Sequence, residues 1–121
     1  MNNKKQIISW DNNRRTITVI VGIARDSECF SINESIEQSS KFNCLVLEMK
    51  EKIDSFTFIK TGGFYEGVYQ DALQFNIMVM PDEVRYTLEK IKNVISNSNS
   101  GLGITEVHVE CYDSKALHFV V

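Results

Sequence analysis

Apolar and polar residues alternate along several stretches of the chain, and this period of two predicts β-strands. The clearest stretch is the segment 73–80, in which the apolar positions Leu73, Phe75, Ile77 and Val79 alternate with others. Residues 16–23 are rich in β-branched side chains and are apolar on both faces, which is typical of a strand covered on both sides. The segments 56–60 and 104–112 complete a set of four predicted core strands.

A spacing of three and four residues between apolar positions predicts two helices. The stripe of the first helix consists of Phe42, Leu45, Val46, Met49 and Ile53. A capping box at Ser31 and Glu34 predicts a helix start there, and Ser39 and Ser40 indicate a break placed anywhere from Ile36 to Phe42. The second helix opens at Pro81, the chain's only proline, and its stripe consists of Val84, Leu88, Ile91 and Ile95. The polar run 97–101 is expected to end it, with Gly101 or Gly103 as the left-handed stop.

Two short hairpins are expected outside this core. Residues 6–10 are predicted to form an N-terminal strand that turns back at 11–14, where Asp and Asn favour turns. Residues 116–121 are predicted to form a final strand after a three-residue turn at 113–115. That register places Cys111 opposite Leu117 and keeps all apolar residues on one face of the sheet.

The order strand, helix, strand, strand, helix, strand predicts an α+β fold with a ferredoxin-like βαββαβ core. We therefore expect a single domain over residues 1–121, with an antiparallel sheet, two helices on one face, an N-terminal strand and a C-terminal hairpin strand. The other sheet face is expected to carry an apolar patch of Ile20, Ile59, Met78, Met80 and Tyr112. Because an open apolar face usually finds a partner, a homo-oligomer (dimer or trimer) is predicted.

The segment 60–69 combines glycines, aromatic residues and a lysine between two predicted strands. Glycines permit positive φ and close approach to a ligand, and a turn of this kind can form an anion-binding nest. The predicted ligand-binding residues are Lys60, Gly62, Gly63, Phe64, Tyr65, Tyr69 and Arg25. They point to a small anionic molecule, a nucleotide or nucleotide-like signal. The alternative is a hairpin tip that is mobile or packs on a neighbouring subunit.

Three other constellations have a functional and a structural interpretation. The hairpin register places Glu110 opposite His118, with His108 on the same face, as a weak alternative zinc site. An ordinary cross-strand pair explains them equally. The cysteines at positions 29, 44 and 111 form no CxxC pair, and we interpret them as reduced thiols without a catalytic role. Trp10 beside Arg14 and Arg15 fits a nucleotide clamp, although packing over the core is favoured.

The composition narrows the function classes. The chain has 121 residues and a net charge of −3, which disfavours broad binding to nucleic acid. The sequence carries neither a signal-peptide pattern nor an apolar run of membrane-spanning length, so a cytoplasmic protein without membrane association is expected. Neither a catalytic set nor a cofactor motif is found, and we therefore expect a protein that is not an enzyme.

At this point the chain resembles the nitrogen-regulatory PII and CutA-like proteins over roughly residues 17–109. The resemblance rests on the loop 62–69, the alternating strand 75–80, the Pro81-Asp82 helix start and the glycine-containing stretch 101–104. It implies a βαββαβ core with a loop between the second and third strands. The family's basic phosphate-binding residues near the last strand have no counterpart here, since residues 101–109 carry no Arg or Lys.

Three functions are therefore expected, in order. The first is a non-catalytic binder of a small anionic ligand, acting as a regulator or as a phage-type sponge for a nucleotide-like signal. The second is a protein-interaction module that acts through the segment 60–70. The third is a CutA-like metal-binding protein.

Overall fold

The structure, a computed structural model, describes residues 10–24, 36–102 and 104–117. Within them, four strands and two α-helices follow one another in the order βαββαβ. The elements are β1 (Asp11–Ala24), α1 (Ile36–Lys52), β2 (Thr57–Tyr65), β3 (Val68–Val79), a 3-10 turn (Pro81–Glu83), α2 (Val84–Leu102) and β4 (Ile104–Ala116). The arrangement confirms the predicted α+β class.

The strands form one antiparallel sheet in the order β2-β3-β1-β4. β1 is central, so Val19 lies opposite Phe75 of β3 on one side and opposite Val109 of β4 on the other. The two helices cover one face of the sheet, as predicted. β2 and β4 are its two edges, so the central strand β1 lies between the β2–β3 hairpin and β4.

The core lies between this sheet and the helices. Its sheet side is formed by alternate residues of β1 and β3, including Ile17, Val19 and Phe75, which have no exposed surface. The predicted stripe of α1 packs against them, with Phe42, Leu45, Met49 and Ile53 all buried. Burial of these side chains is the main source of the fold's stability.

The break expected between Ile36 and Phe42 is absent, because α1 is continuous from Ile36 to Lys52, and the capping box at 31–34 lies outside the described residues. The prediction that the polar run 97–101 ends the second helix is wrong, because α2 continues through Gly101 to Leu102. The alternative stop, Gly103, lies outside the described residues. Ser98 explains part of the continuation of α2. Its hydroxyl donates to the Val94 carbonyl oxygen at 2.8 Å and also hydrogen-bonds Glu48 of α1.

The predicted turn at 11–14 is wrong, since β1 already begins at Asp11. Asp11 lies opposite Ala116 of β4, and the register shifts between Asp11 and Arg14. The Asp11 carboxylate accepts hydrogen bonds from the Asn13 N–H at 2.9 Å and from Arg14 Nε at 2.8 Å. The hydrogen bonds typical of an Asx turn are therefore present, but they form a bulge within β1 instead of a turn between two strands. The predicted strand at 6–9 lies outside the described residues.

The predicted turn at 113–115 is also wrong, because β4 runs through it to Ala116. The extension of β1 supplies the partners: Arg14 lies opposite Ser114, and Arg15 opposite Asp113. Arg15 Nε lies 3.1 Å from Asp113 Oδ1. Because β4 continues straight on, the pairing of Cys111 with Leu117 does not form. The remainder of the predicted last strand, 118–121, lies outside the described residues.

The Asp11 carboxylate gives β1 a dependence on pH. The hydrogen bond from the Asn13 backbone, followed by that from Arg14, lowers the pKa of Asp11 below its ordinary value of 3.8. The folded-state pKa lies below the unfolded-state one. The interaction therefore adds stability above the unfolded pKa, and this stability is lost as pH falls through the folded pKa.

We expect Asp11→Asn to have a lower Tm than the parent chain at pH above about 4, with the difference shrinking at lower pH. Thermal unfolding over a pH series measures it. Asp54→Asn, at an exposed position outside the sheet, serves as the control. A difference between Asp11→Asn and the parent that stays constant across the series would contradict this account.

Candidate functional site

The segment 60–69 is a tight hairpin and not a long loop. β2 and β3 stay paired as far as Tyr65 and Val68, and only Glu66 and Gly67 form the turn. Both have positive φ, 51° and 80°, which is the pattern of a type I′ turn. The elongated tip predicted from the sequence is therefore wrong, because the strands on either side extend through most of it.

Gly62 and Gly63 lie within β2, opposite Asp71 and Gln70. Positive φ is confined to Glu66 and Gly67 in this hairpin, so the anion-binding nest expected at the two glycines is not formed. A nest needs curved backbone, whereas the backbone of a paired strand is extended.

Gly62 is required for a different reason. A Cβ at this position would lie 2.8 Å from Cζ of Tyr69 and still closer to its hydroxyl. The Tyr69 ring therefore lies directly over Gly62. The ring of Phe64 meets Tyr69 edge-on, with centroids 5.5 Å apart and planes at 73°. Phe64 is 68% exposed, so this aromatic pair faces solvent and offers a stacking surface.

The pairing of β2 with β3 divides the predicted site between the two faces of the sheet. Lys60 and Gly62 lie on the helix-covered face, and Lys60 Nζ lies 6.0 Å from the ring centroid of Phe42 in α1. Gly63 alternates onto the open face. Tyr65 pairs with Val68 at the end of the ladder, and Arg25 lies outside the described residues.

Two polar residues that the sequence analysis did not single out lie at the base of this hairpin. Gln70 and Asp71 are buried, with 9% and 5% of their surface exposed. The Gln70 side-chain oxygen Oε1 has no hydrogen-bond partner among the described residues. An unpaired buried acceptor destabilises a fold. The signal was available, because two adjacent polar residues interrupt the apolar alternation of β3.

The candidate zinc site is not assembled in the described part of the chain. His108 Nε2 lies 3.0 Å from Glu110 Oε2, with both side chains more than half exposed. His118 lies outside the described residues, and the turn that would bring it opposite Glu110 is absent. The described residues hold no group of three metal-binding side chains.

The other two candidates also lack support as sites. Cys44 and Cys111 are free and exposed, and Cys29 lies outside the described residues. β4 is an edge strand that the described helices barely contact. Trp10 is 61% exposed, so its predicted packing over the core is wrong. Arg14, its expected partner, pairs with Asp11.

The open sheet face carries a polar network among its apolar residues. Thr18 Oγ1 donates to Asn76 Oδ1 at 3.0 Å and lies 3.2 Å from the Tyr112 hydroxyl. Ile59 and Met78 are about half exposed on either side of this network. The expected apolar patch is therefore interrupted at its centre. A shallow groove of about 380 Å³ borders Met78 near the start of β2.

Comparison with known proteins supports the fold. A dimeric protein of unknown function from Thermobifida fusca, described as ferredoxin-like, is 8% identical, with a TM-score of 0.50 over 93% of this chain and 100% of that one. The fold is ferredoxin-like. A phage SAM lyase in complex with S-methyl-5′-thioadenosine is 12% identical, with a TM-score of 0.51 over 91% and 92% of the two chains.

The plant PII protein of Arabidopsis thaliana bound to citrate is also similar, at 17% identity and a TM-score of 0.42 over 82% and 74% of the two chains. The fold-level resemblance predicted from the sequence is confirmed to this extent. Neither a protein-family model nor a curated protein matches the chain. At these identities the likeness concerns the fold alone.

The similarity to the lyase corrects one expectation. The prediction that a chain of this architecture is not an enzyme is wrong, because an enzyme shares its fold at a TM-score of 0.51. The same structure holds a nucleoside, so the fold is one on which small ligands bind. Among the described residues no helix is long and apolar enough to cross a membrane.

Proposed function

We propose that the protein binds a small nucleoside or nucleotide at the β2–β3 hairpin. The proposed site residues are those of the predicted set, Lys60, Gly62, Gly63, Phe64, Tyr65, Tyr69 and Arg25. The protein then serves either as a regulator that responds to a nucleotide-like signal or as a phage-type sponge that sequesters such a signal.

The observation that carries this proposal is the pair of rings of Phe64 and Tyr69, which meet edge-on with centroids 5.5 Å apart and lie on the same sheet face as Lys60. A nucleobase presents an aromatic face, and a nucleotide adds an anionic group. Such a ligand therefore suits an exposed ring pair beside a lysine. The similarly folded lyase, which was captured with a nucleoside, adds support.

A negatively charged part of the ligand is assigned to Lys60. Its side chain is exposed on the helix-covered face and reaches over Phe42 of α1. Phosphate or carboxylate groups suit this lysine better than the glycine backbone, since Gly62 and Gly63 are extended. The proposed ligand is thus bound by its base at the rings and by its anionic end at the lysine.

Stacking on Tyr69 is the step to test first. We expect Tyr69→Ala to lower the affinity for an adenine nucleoside or nucleotide by tenfold or more, since stacking of a base on one aromatic side chain contributes about 1–3 kcal/mol. Calorimetric titration with S-adenosylmethionine, S-methyl-5′-thioadenosine and ATP measures it. Tyr86→Ala is a matched control, because Tyr86 is 58% exposed on α2 and away from the hairpin.

Native mass spectrometry of the freshly purified protein precedes these titrations and shows any bound nucleoside directly. Mass analysis after incubation with S-adenosylmethionine shows whether S-methyl-5′-thioadenosine accumulates. Equal affinities in Tyr69→Ala and the parent chain would overturn the hairpin site. Absence of binding to a broad panel of nucleosides would overturn the ligand class.

A second function is favoured by the exposure of the hairpin. Phe64 and Val68 are 68% and 48% exposed at its end, and such apolar tips insert into partner proteins. This proposal predicts that Phe64→Ala abolishes capture of a partner protein, while nucleoside titrations show no heat with either chain.

We further propose that the protein is a homo-oligomer. Apolar side chains are exposed on both faces of the sheet, among them Ile59 and Met78 on the open face and Val107 and Val109 on the other. A similarly folded protein is described as dimeric. Native mass spectrometry reports the number of subunits in the same experiment that detects the ligand.

A further inference from the structure

β4 is a long edge strand whose apolar side chains are partly exposed to solvent. It has 13 residues and pairs with β1 on one side, while none of the described residues pairs with its outer side. Val107 and Val109 point toward the helix-covered face, yet 39% and 43% of their surfaces remain exposed. Long edges with apolar side chains are templates for a further strand.

We propose that β4 pairs antiparallel with β4 of a second copy, about a two-fold axis at Val109. The two sheets then join into one of eight strands. This inference names the interface of the homo-oligomer proposed above and rests on that part of the proposal, not on the ligand.

The faces of the sheet restrict the possible registers. Opposite residues share a face, so only registers centred on a residue keep the valines together on one side. Centring on His108 places Val107 opposite Val109 but sets position 106, a glutamate, against Glu110. Centring on Glu110 sets Glu110 against its own copy. Like charges directly opposite are destabilising in a sheet, and both registers are disfavoured.

Centring on Val109 gives a different result. His108 then lies opposite Glu110 of the second copy, and the two-fold axis repeats this pair. Both side chains are more than half exposed, and they already meet within one strand at 3.0 Å. Four side chains, two imidazoles and two carboxylates, would therefore gather on the open face. In this register each imidazole faces a carboxylate of the second copy as a hydrogen-bond partner, without any change to the chain.

The opposite face is complementary in the same register. Val109 meets its own copy, and Val107 lies opposite Cys111 of the second copy. All three are exposed in the described chain. Pairing with the second copy covers these apolar side chains and pairs the outer backbone groups of β4. This explains why apolar residues occupy positions that the helices do not cover.

The charge pair provides the first test. We expect His108→Glu to raise the dimer dissociation constant about tenfold, a change of about 1.4 kcal/mol, because two carboxylates then face each other at two equivalent places. The double variant His108→Glu with Glu110→Lys restores opposite charges and is expected to return the constant to within about threefold of the parent value. Sedimentation equilibrium measures all three.

A cysteine cross-link tests the register independently. Directly opposite Cα atoms lie about 4.5–5.5 Å apart in antiparallel strands, which fits a disulfide. We expect Val107→Cys to cross-link to Cys111 of the second copy under mild oxidation, as mapped by peptide mass spectrometry. Val107→Cys combined with Cys111→Ser is the matched control and is expected not to form this link.

The outcomes separate this inference from the proposals above. Failure of the double variant to recover, or an equal cross-linking yield in the control, overturns the β4 interface. A persistent oligomer in those experiments means that another surface joins the copies. A strictly monomeric parent chain overturns both the oligomer and the interface. Nucleoside titrations remain informative in every case, because the hairpin lies at the opposite side of the sheet.

Discussion

Replacing Phe75 by alanine is expected to destabilise the fold by about 3–5 kcal/mol. Phe75 has no exposed surface and lies in β3 directly opposite Val19 of the central strand. Its ring meets that of Phe56 edge-on, with centroids 5.6 Å apart. The substitution leaves a cavity between sheet and helices that the surrounding backbone fills only in part. Urea unfolding followed by circular dichroism measures the loss.

Phe58→Ala is the matched control for this prediction. Phe58 lies in β2 directly opposite Phe75 and on the same face, but 48% of its surface is exposed. Its removal deletes the same group from the same cross-strand pair without opening a cavity, so a loss of about 1 kcal/mol or less is expected. Equal losses in the two variants would mean that the core is not centred on Phe75.

The centre of this fold is predictable from the sequence for a simple reason. In β3 the apolar residues recur at every second position, and in α1 at every third and fourth, so each pattern fits one element only. Leu73, Phe75 and Ile77 of β3 are buried, as are Phe42 and Met49 of α1. Burial of a continuous apolar row determines which face of each element turns inward.

The ends of the sheet could not be predicted in this way. The segments 11–14 and 113–115 each contain residues that favour turns, and each was predicted to turn. In the structure they pair with one another, with Arg14 directly opposite Ser114 although the two lie far apart in the chain. The local preference of these residues for a turn is weaker than the backbone pairing that the distant segment provides. This pairing cannot be recognised from either segment alone.

The candidate site was predicted in composition but not in geometry. The glycines and aromatic residues of 62–69 marked the hairpin, yet their spacing does not show that Gly62 is needed to make room for the Tyr69 ring. Both positive φ and close packing select glycine, and sequence alone does not separate the two reasons. Gln70 was missed because it lies between the marked segment 60–69 and the predicted strand 73–80.

Gln70 gives the second large effect, which concerns stability and not binding. We expect Gln70→Met to stabilise the protein by about 1–2 kcal/mol, since it replaces a buried oxygen that has no partner among the described residues by an apolar group of similar shape. Gln70 follows Tyr69 in β3 and therefore faces the open side of the sheet, away from the rings, so the affinity for an adenine nucleoside is expected to stay unchanged. Urea unfolding and calorimetric titration measure the stability and the affinity.

Gln74→Met is the control for this prediction. Gln74 lies four residues further along β3, on the same face as Gln70, and its Nε2 donates to Asn76 Oδ1 at 3.3 Å. Removing a satisfied group is expected to destabilise slightly and to leave nucleoside affinity unchanged. If Gln70→Met instead destabilises as Gln74→Met does, the Oε1 atom is already satisfied in the free protein. A loss of nucleoside affinity in Gln70→Met would mean that the ligand binds on the open face of the sheet, and it would contradict the placement of the site at Phe64 and Tyr69.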